Sequence, residues 1–297
     1  MQVRPGDFGS NLNMWFQLIG HQWKPLLGVS LVGFVPLGIA VMVLLFVADL
    51  PGVIERLSDP DLVELMTLGE VVETLLPLVV AAVVGIVLQV VATAFVNVAA
   101  ARISACAYAG VETDWRAASR FAVERIGKAI AAGLIVTLGV LVALALVAGL
   151  AWALISGLGT SFLTIFLTAV LVLTSLTLLI WLGVSLSLYS QSIAMSDRGA
   201  IASLLDSFDL VRLRWWVSVG FFLVTGLIAS AAAQLLTLPL VPLFLLGAVA
   251  PAVLAVVYGV SAMIQGPVAA AIGVAYSVWY VDLRARRGPV ESSELIR

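Results

Sequence analysis

Apolar and polar positions along the chain are organised on two scales. On the larger scale, uncharged apolar runs recur at residues 25–47, 75–101, 129–155, 162–189, 216–238 and 256–281. A helix rises 1.5 Å per residue, so about 20 apolar residues cross a hydrocarbon layer of ~30 Å. Each run therefore predicts a transmembrane helix. On the smaller scale, the segments ahead of the first, third and fifth runs carry helical periodicity. In residues 11–24, Leu12, Trp15, Phe16, Ile19 and Trp23 share one face, with Asn13, Gln17, His21 and Lys24 opposite. In residues 114–128, Arg116, Arg120, Glu124 and Lys128 recur every fourth position beside Trp115, Ala118, Ala122 and Ile126. In residues 198–215, Ile201, Leu204, Leu205, Phe208, Val211 and Trp215 fall in one arc, and Arg212 within it is expected to snorkel. All three read as amphipathic helices lying in the membrane surface, with their Trp rings at headgroup level.

These surface segments also resemble one another. FQLIGHQWKPLLG (16–28), FAVERIGKAIAAG (121–133) and FDLVRLRWWVSVG (208–220) have equal length, the same leading Phe and the same closing Gly. Each feeds an apolar run, so the repeating unit reads as a surface helix followed by a membrane hairpin. Residues 156–161 are too short a link to allow anything but an antiparallel hairpin between runs three and four. Pro36, near the middle of run one, is expected to kink it. Residues 240–281 carry no charge and as one helix would be twice the membrane's thickness. Pro239, Pro242, Gly247 and Pro251 break the first part, which predicts a loop or re-entrant segment over 239–255 ahead of a final span at 256–281.

Composition agrees: 62% of residues are hydrophobic and only 11% charged, with a mean hydropathy of +1.16, against about 25% charged residues in soluble domains. The expected fold class is an all-α polytopic membrane protein, one domain over 1–297, with six transmembrane helices arranged as three hairpins. Run one is too long for a signal peptide and has no small-residue cleavage site after it, so it is expected to stay in the membrane.

The net charge of −2 conceals an asymmetry. With six spans and the amino terminus inside, every basic residue except Arg56 falls on the cytoplasmic side, while the acidic segment 49–73, including a short amphipathic helix over 62–72, falls outside. A seventh span would export Arg284, Arg286 and Arg287, against the positive-inside rule. Both termini are therefore expected in the cytoplasm. The candidate membrane-surface and partner residues are Trp15, Trp23, Lys24, Arg116, Arg120, Arg125, Lys128, Arg212, Arg214, Trp215, Arg284, Arg286 and Arg287. Their expected partners are the lipid bilayer and its anionic lipids, at about 1 kcal/mol per basic residue, or another membrane or cytoplasmic protein, and not nucleic acid.

Reactive groups are scarce. A metal centre for phosphodiester hydrolysis needs several carboxylates or histidines on one ion, and the single His21 reads as a headgroup contact. Asp59, Asp61 and Glu64 read as part of a solvated outer loop, and the lone Cys106 as a packing residue. No phosphate-binding loop, zinc-protease or nucleophile-elbow motif occurs. No cofactor is expected, and the chain is not expected to be an enzyme. Gln89, Asn97, Gln234 and Gln265 form a candidate intramembrane polar site, with interhelical hydrogen bonding as the plainer role for such amides.

The tail YVDLRARR (280–287) resembles the Y-x-D-L-R-x-R-R ending of a bacterial family of six-span proteins, the membrane domain of glycerophosphoryl diester phosphodiesterase. The segments FQLIGHQWKPLLGVSLVGFVP and SLLDSFDLVRLRWWVSVG resemble it as well. The resemblance implies a free-standing relative of that membrane part in a bacterial cytoplasmic membrane. In that family the phosphodiesterase chemistry belongs to a separate soluble barrel, to which nothing here is similar. The function expected from the sequence is that of a non-enzymatic anchor, scaffold or accessory subunit acting through its basic helices. A transporter or flippase for a lipid or small solute is the alternative.

Overall fold

The structure, a computed structural model, describes residues 2–3, 5–58, 67–159, 161–247 and 251–296. Helices α1 (Phe8–Val47), α2 (Leu50–Ser58), α3 (Leu68–Ala109), α4 (Trp115–Leu158), α5 (Phe162–Leu186), α6 (Tyr189–Ser196), α7 (Ala200–Arg212), α8 (Trp215–Thr237), α9 (Val241–Gly247) and α10 (Pro251–Arg287) follow in order. The chain is all-α, and α1, α3, α4, α5, α8 and α10 provide six helices long and apolar enough to cross a membrane, the make-up of a multi-pass membrane protein. A short antiparallel ladder pairs β1 (Gln2–Val3) with β2 (Val290–Glu291), so the two ends of the chain meet on one face.

Helix starts follow local chemistry. Asp7, Asp114 and Ser161 each accept a hydrogen bond from a backbone N–H in the first turn of α1, α4 and α5. Thr67 and Glu70 form a reciprocal capping box ahead of α3. That box lies in the latter part of the acidic segment; Asp59, Asp61 and Glu64 lie outside the described residues, and of the helix expected over 62–72 residues 68–72 form the first turn of α3. Gly110, at φ 68, closes α3 in the left-handed conformation that glycine adopts without strain.

The three surface segments meet three different fates. Helices α1 and α4 absorb theirs, reaching 40 and 44 residues, about 60 and 66 Å at 1.5 Å per residue and so about twice a hydrocarbon layer. In α1 the backbone leaves helical geometry only at Gln22 (φ −106, ψ 19). The cause is Pro25, which has no N–H for the His21 carbonyl. At Pro36, where a kink is expected, the backbone keeps helical φ/ψ. In α4 there is no break. Only the third segment is a separate helix, α7, parted from α8 by a turn at Leu213 and Arg214. The described residues of the segment expected as a loop or re-entrant stretch over 239–255 include the end of a 3-10 turn (Leu238–Leu240), the short helix α9, and the start of α10 at Pro251, where proline's fixed φ suits a first turn.

Packing is uneven. Helices α1 and α10 share the broadest interface, with α3 against both. Their crossing is close because Gly38 and Gly259 face each other: a Cβ on Gly38 would stand 2.4 Å from the Gly259 carbonyl oxygen. The buried stripe of α1 is Asn11, Trp15, Leu18, Leu26, Val29, Ser30, Phe34, Leu37 and Gly38, at the three-and-four spacing of a helix seam on either side of the break at Gln22. This corrects the reading of Trp15 as a headgroup anchor. It is 1% exposed, and its indole Nε1 donates to the Ala271 carbonyl at 2.8 Å, because the face that carries it is claimed by α10 rather than by lipid. Phe16 and Trp23, from the same expected stripe, do point outward. The buried core lies towards the face where the termini meet, built from residues 92–106 of α3, the first turns of α4, α6 and the second half of α10. At the other end, α4 and α5 pack on each other and are otherwise largely exposed.

Candidate functional site

The face where the termini meet is held by a polar seam between α6, α7 and α10. Ser192 donates to Asp206 at 2.7 Å, and the Ser196 and Tyr280 hydroxyls are 2.8 Å apart. Arg284 donates to Ser196, and Arg198 lies 3.4 Å from the other oxygen of Asp206. Deeper, Gln191 donates to the Gly273 carbonyl, and the Trp279 indole donates to Ser218 beneath the stacked Phe221 ring. Buried polar groups that find partners in this way fix one arrangement of the packed elements.

Next to the seam, the arm ahead of α1 is gripped at Gly6. Its N–H donates to Asp282 Oδ1 at 2.7 Å, Asp282 Oδ2 pairs with Arg286 Nε at 2.8 Å, and Arg286 donates in turn to the Gly6 carbonyl. Arg287 donates to the Asp209 carbonyl. Arg102 holds the carboxyl-terminal tail through the Ile296 carbonyl at 2.6 Å. Phe121, the leading residue of the second repeat, sits between the Arg102 and Arg125 guanidiniums, 4.6 and 4.0 Å from its ring centre. Asp197 closes the other side, 2.9 Å from Lys128 Nζ and 3.4 Å from Arg125 Nε. The hydrogen bond from Lys128 holds the Asp197 carboxyl below its ordinary range, and the charges of Arg125 and Lys128 add to the effect.

These contacts divide the basic residues expected from the sequence into two sets. Arg125, Lys128, Arg284, Arg286 and Arg287 are bound into the architecture. Lys24, Arg116, Arg120 and Arg214 are exposed and have no acidic partner among the described residues, while Arg212 shares only a surface pair with Asp209 at 3.5 Å. Three of the free cations stand beside tryptophan where a membrane-capable helix begins or passes. Lys24 lies over the Trp23 ring at 5.6 Å and Arg116 over Trp115 at 5.2 Å, and Arg214 directly precedes Trp215 and Trp216. Trp215, also a candidate, is half-buried, its indole 3.5 Å from the Trp181 carbonyl.

Three neighbouring hollows on this face share lining residues. A groove of about 940 Å³ runs between Trp181 of α5 and the turn Arg212, Leu213, Arg214 with Trp216. Leu213 and Arg214 also line a hollow of about 520 Å³ against Arg286 and Arg287. That hollow shares Leu210 and Arg287 with a smaller one of about 280 Å³ bounded by Arg198, Arg284, Asp206 and Glu294.

The four intramembrane amides are not brought together. Gln89 donates to Thr93 one turn along its own helix, Gln234 and Gln265 are exposed on α8 and α10, and only Asn97 lies against another helix, where a Cβ on Gly273 would be 3.0 Å from its side-chain oxygen. His21 is exposed, with Nδ1 2.8 Å from the Gln17 carbonyl, and Cys106 is buried. Among the described residues no three His, Cys, Asp or Glu side chains come together as metal ligands do. Asp282, Asp206, Asp197 and Trp181 were absent from the sequence candidates. Only Asp282 carried a signal, the i, i+4 spacing to Arg286.

No curated protein and no solved structure matches the chain. A family model described as "Domain of unknown function (DUF7847)" matches residues 64–283, from the acidic segment through the last membrane-capable helix. By that match over most of its length, the chain belongs to the DUF7847 family.

Proposed function

We propose that this is a non-enzymatic protein of the bacterial cytoplasmic membrane, with both termini inside, whose knit basic face anchors or organises a partner protein or local anionic lipid. One observation carries the reading. Lys24, Arg116 and Arg214 are cations without acidic partners among the described residues, each beside a tryptophan and each near the point where a membrane-capable helix leaves the knit face. Tryptophan favours the headgroup layer, and basic residues there are drawn to anionic leaflets or acidic partner surfaces. The resemblance of the YVDLRARR tail to the membrane part of glycerophosphoryl diester phosphodiesterases supports the same role. The transport alternative gains no support from the amides, three of which face outward or bond within their own helix.

The test uses Arg116 and Arg120, which are exposed and outside the architectural pairs. A photo-crosslinking side chain at either position, in native membranes, is expected to capture one protein or anionic lipid reproducibly. Arg116→Gln with Arg120→Gln is expected to abolish that capture as read from a crosslinker at Trp115. Unchanged capture in the double variant refutes the reading.

A further inference from the structure

The groove between α5 and the turn joining α7 to α8 has the two ends of an amphiphile's site. One end is apolar: Leu178 and Trp216 are 56% and 79% exposed, and α5 meets α8 only sparsely, so the groove opens towards the membrane-capable lengths of both helices. The other end is cationic. Arg214 has no acidic partner among the described residues, and Arg212 is opposed only by Asp209, through a pair so exposed that water screens it. Arg286 and Arg287 line the adjoining hollow, which keeps the potential there positive although both are engaged with Asp282 and the Asp209 carbonyl.

We infer that this groove holds one anionic phospholipid, its phosphate at Arg214 and Arg212 and its acyl chains along Leu178, Trp181 and Trp216. A guanidinium fork matches phosphate geometry, and with no acid paired to Arg214 among the described residues the site favours net negative charge. A groove of about 940 Å³ is at the upper end of small-ligand sites and suits a glycerophosphate with its first methylenes. Tryptophan on both walls holds that group at headgroup depth. The inference rests on the reading of this face as a membrane surface and names its ligand.

The test is native mass spectrometry of the full chain, stripped of lipid in detergent and offered phosphatidylglycerol or phosphatidylcholine at equal concentration. One phosphatidylglycerol is expected to be retained at least about tenfold more tightly than phosphatidylcholine. Arg214→Gln is expected to weaken retention by about tenfold, the factor that one charge-assisted hydrogen bond contributes. Trp216→Ala should weaken it through the chains, and Arg56→Gln, an exposed basic residue of α2, should leave it unchanged. Glycerol phosphate at the same concentration should not displace the lipid; displacement would mean a free-anion site and overturn the inference. Equal retention of the two lipids, or equal loss in Arg56→Gln and Arg214→Gln, overturns it as well. Purified protein carries no partner, so failure here leaves the crosslinking result at Arg116 and Arg120 standing, and the reverse holds too.

Discussion

Replacing Asp282 with Ala should release the amino-terminal arm. The Asp282 side chain is 2% exposed and accepts from the Gly6 N–H and from Arg286. Hydrogen bonds to an ionised acceptor contribute about 1.5–3 kcal/mol each, and removing one partner of a buried pair costs about 3–5 kcal/mol. Arg286 is 26% exposed, so water takes over part of its charge and the cost falls to the lower end, about 3 kcal/mol. The ladder of Gln2–Val3 on Val290–Glu291 cannot hold alone, since two-stranded pairs of this size are unstable in water. The released energy should therefore appear as local opening. At about 1.4 kcal/mol per factor of ten, hydrogen exchange of amides near Gly6 should quicken by about two orders of magnitude, while amides in residues 92–106 keep their rates. Asp282→Asn, which keeps an acceptor for Gly6 but loses the charge, should give about half the effect in free energy. If Asp282→Ala leaves exchange at Gly6 unchanged, the grip on the arm is not what the geometry says it is.

Gly259→Ala should destabilise the α1–α10 crossing by about 1–3 kcal/mol or more, because the new Cβ would stand 2.7 Å from the Gly38 carbonyl oxygen; thermal unfolding in detergent reads this, and Gly226→Ala, with open space around it, should be neutral. Trp15→Phe should cost about 1 kcal/mol or more by removing the indole N–H whose hydrogen bond the Ala271 carbonyl accepts, in the same assay. Asp197 has its carboxyl pKa lowered on folding, so its clasp with Lys128 and Arg125 is fully present above the ordinary carboxylate range and is lost only as pH falls through the lowered folded value. Lys128→Gln should return the Asp197 titration, followed by carbon NMR, towards the ordinary value near 3.9, and an unchanged midpoint would refute the clasp.

The membrane-crossing helices were legible because about 20 apolar residues in a row leave a chain few alternatives. Less legible was what lies at their ends. Helical periodicity in residues 11–24 says that one face is apolar, but not whether lipid or another helix covers it. Trp15 went to α10 while Phe16 and Trp23 stayed outside, a choice made by the close approach of α1 and α10. Continuity was hidden for a similar reason: nothing in residues 121–133 stops a helix, so α4 runs on, whereas Pro25 bends α1 and the chain turns at Leu213 and Arg214. The basic residues were all visible, yet their division into architectural and free depends on acids distant in sequence, such as Asp197 for Lys128 and Asp206 for Arg198. Trp181, mid-helix in an apolar run, carried no signal at all until Arg214 was brought beside it.

The proposed orientation places the knit, positively charged face in the cytoplasm. It is tested most directly by Ser293→Cys in a Cys106→Ala background, probed with a membrane-impermeant maleimide on intact and on permeabilised cells, with Gly157→Cys as the opposite-face control. Ser293 is exposed in the tail that closes on this face. The account predicts labelling of Cys at 293 only after permeabilisation and of Cys at 157 in intact cells, whereas labelling at 293 in intact cells contradicts it.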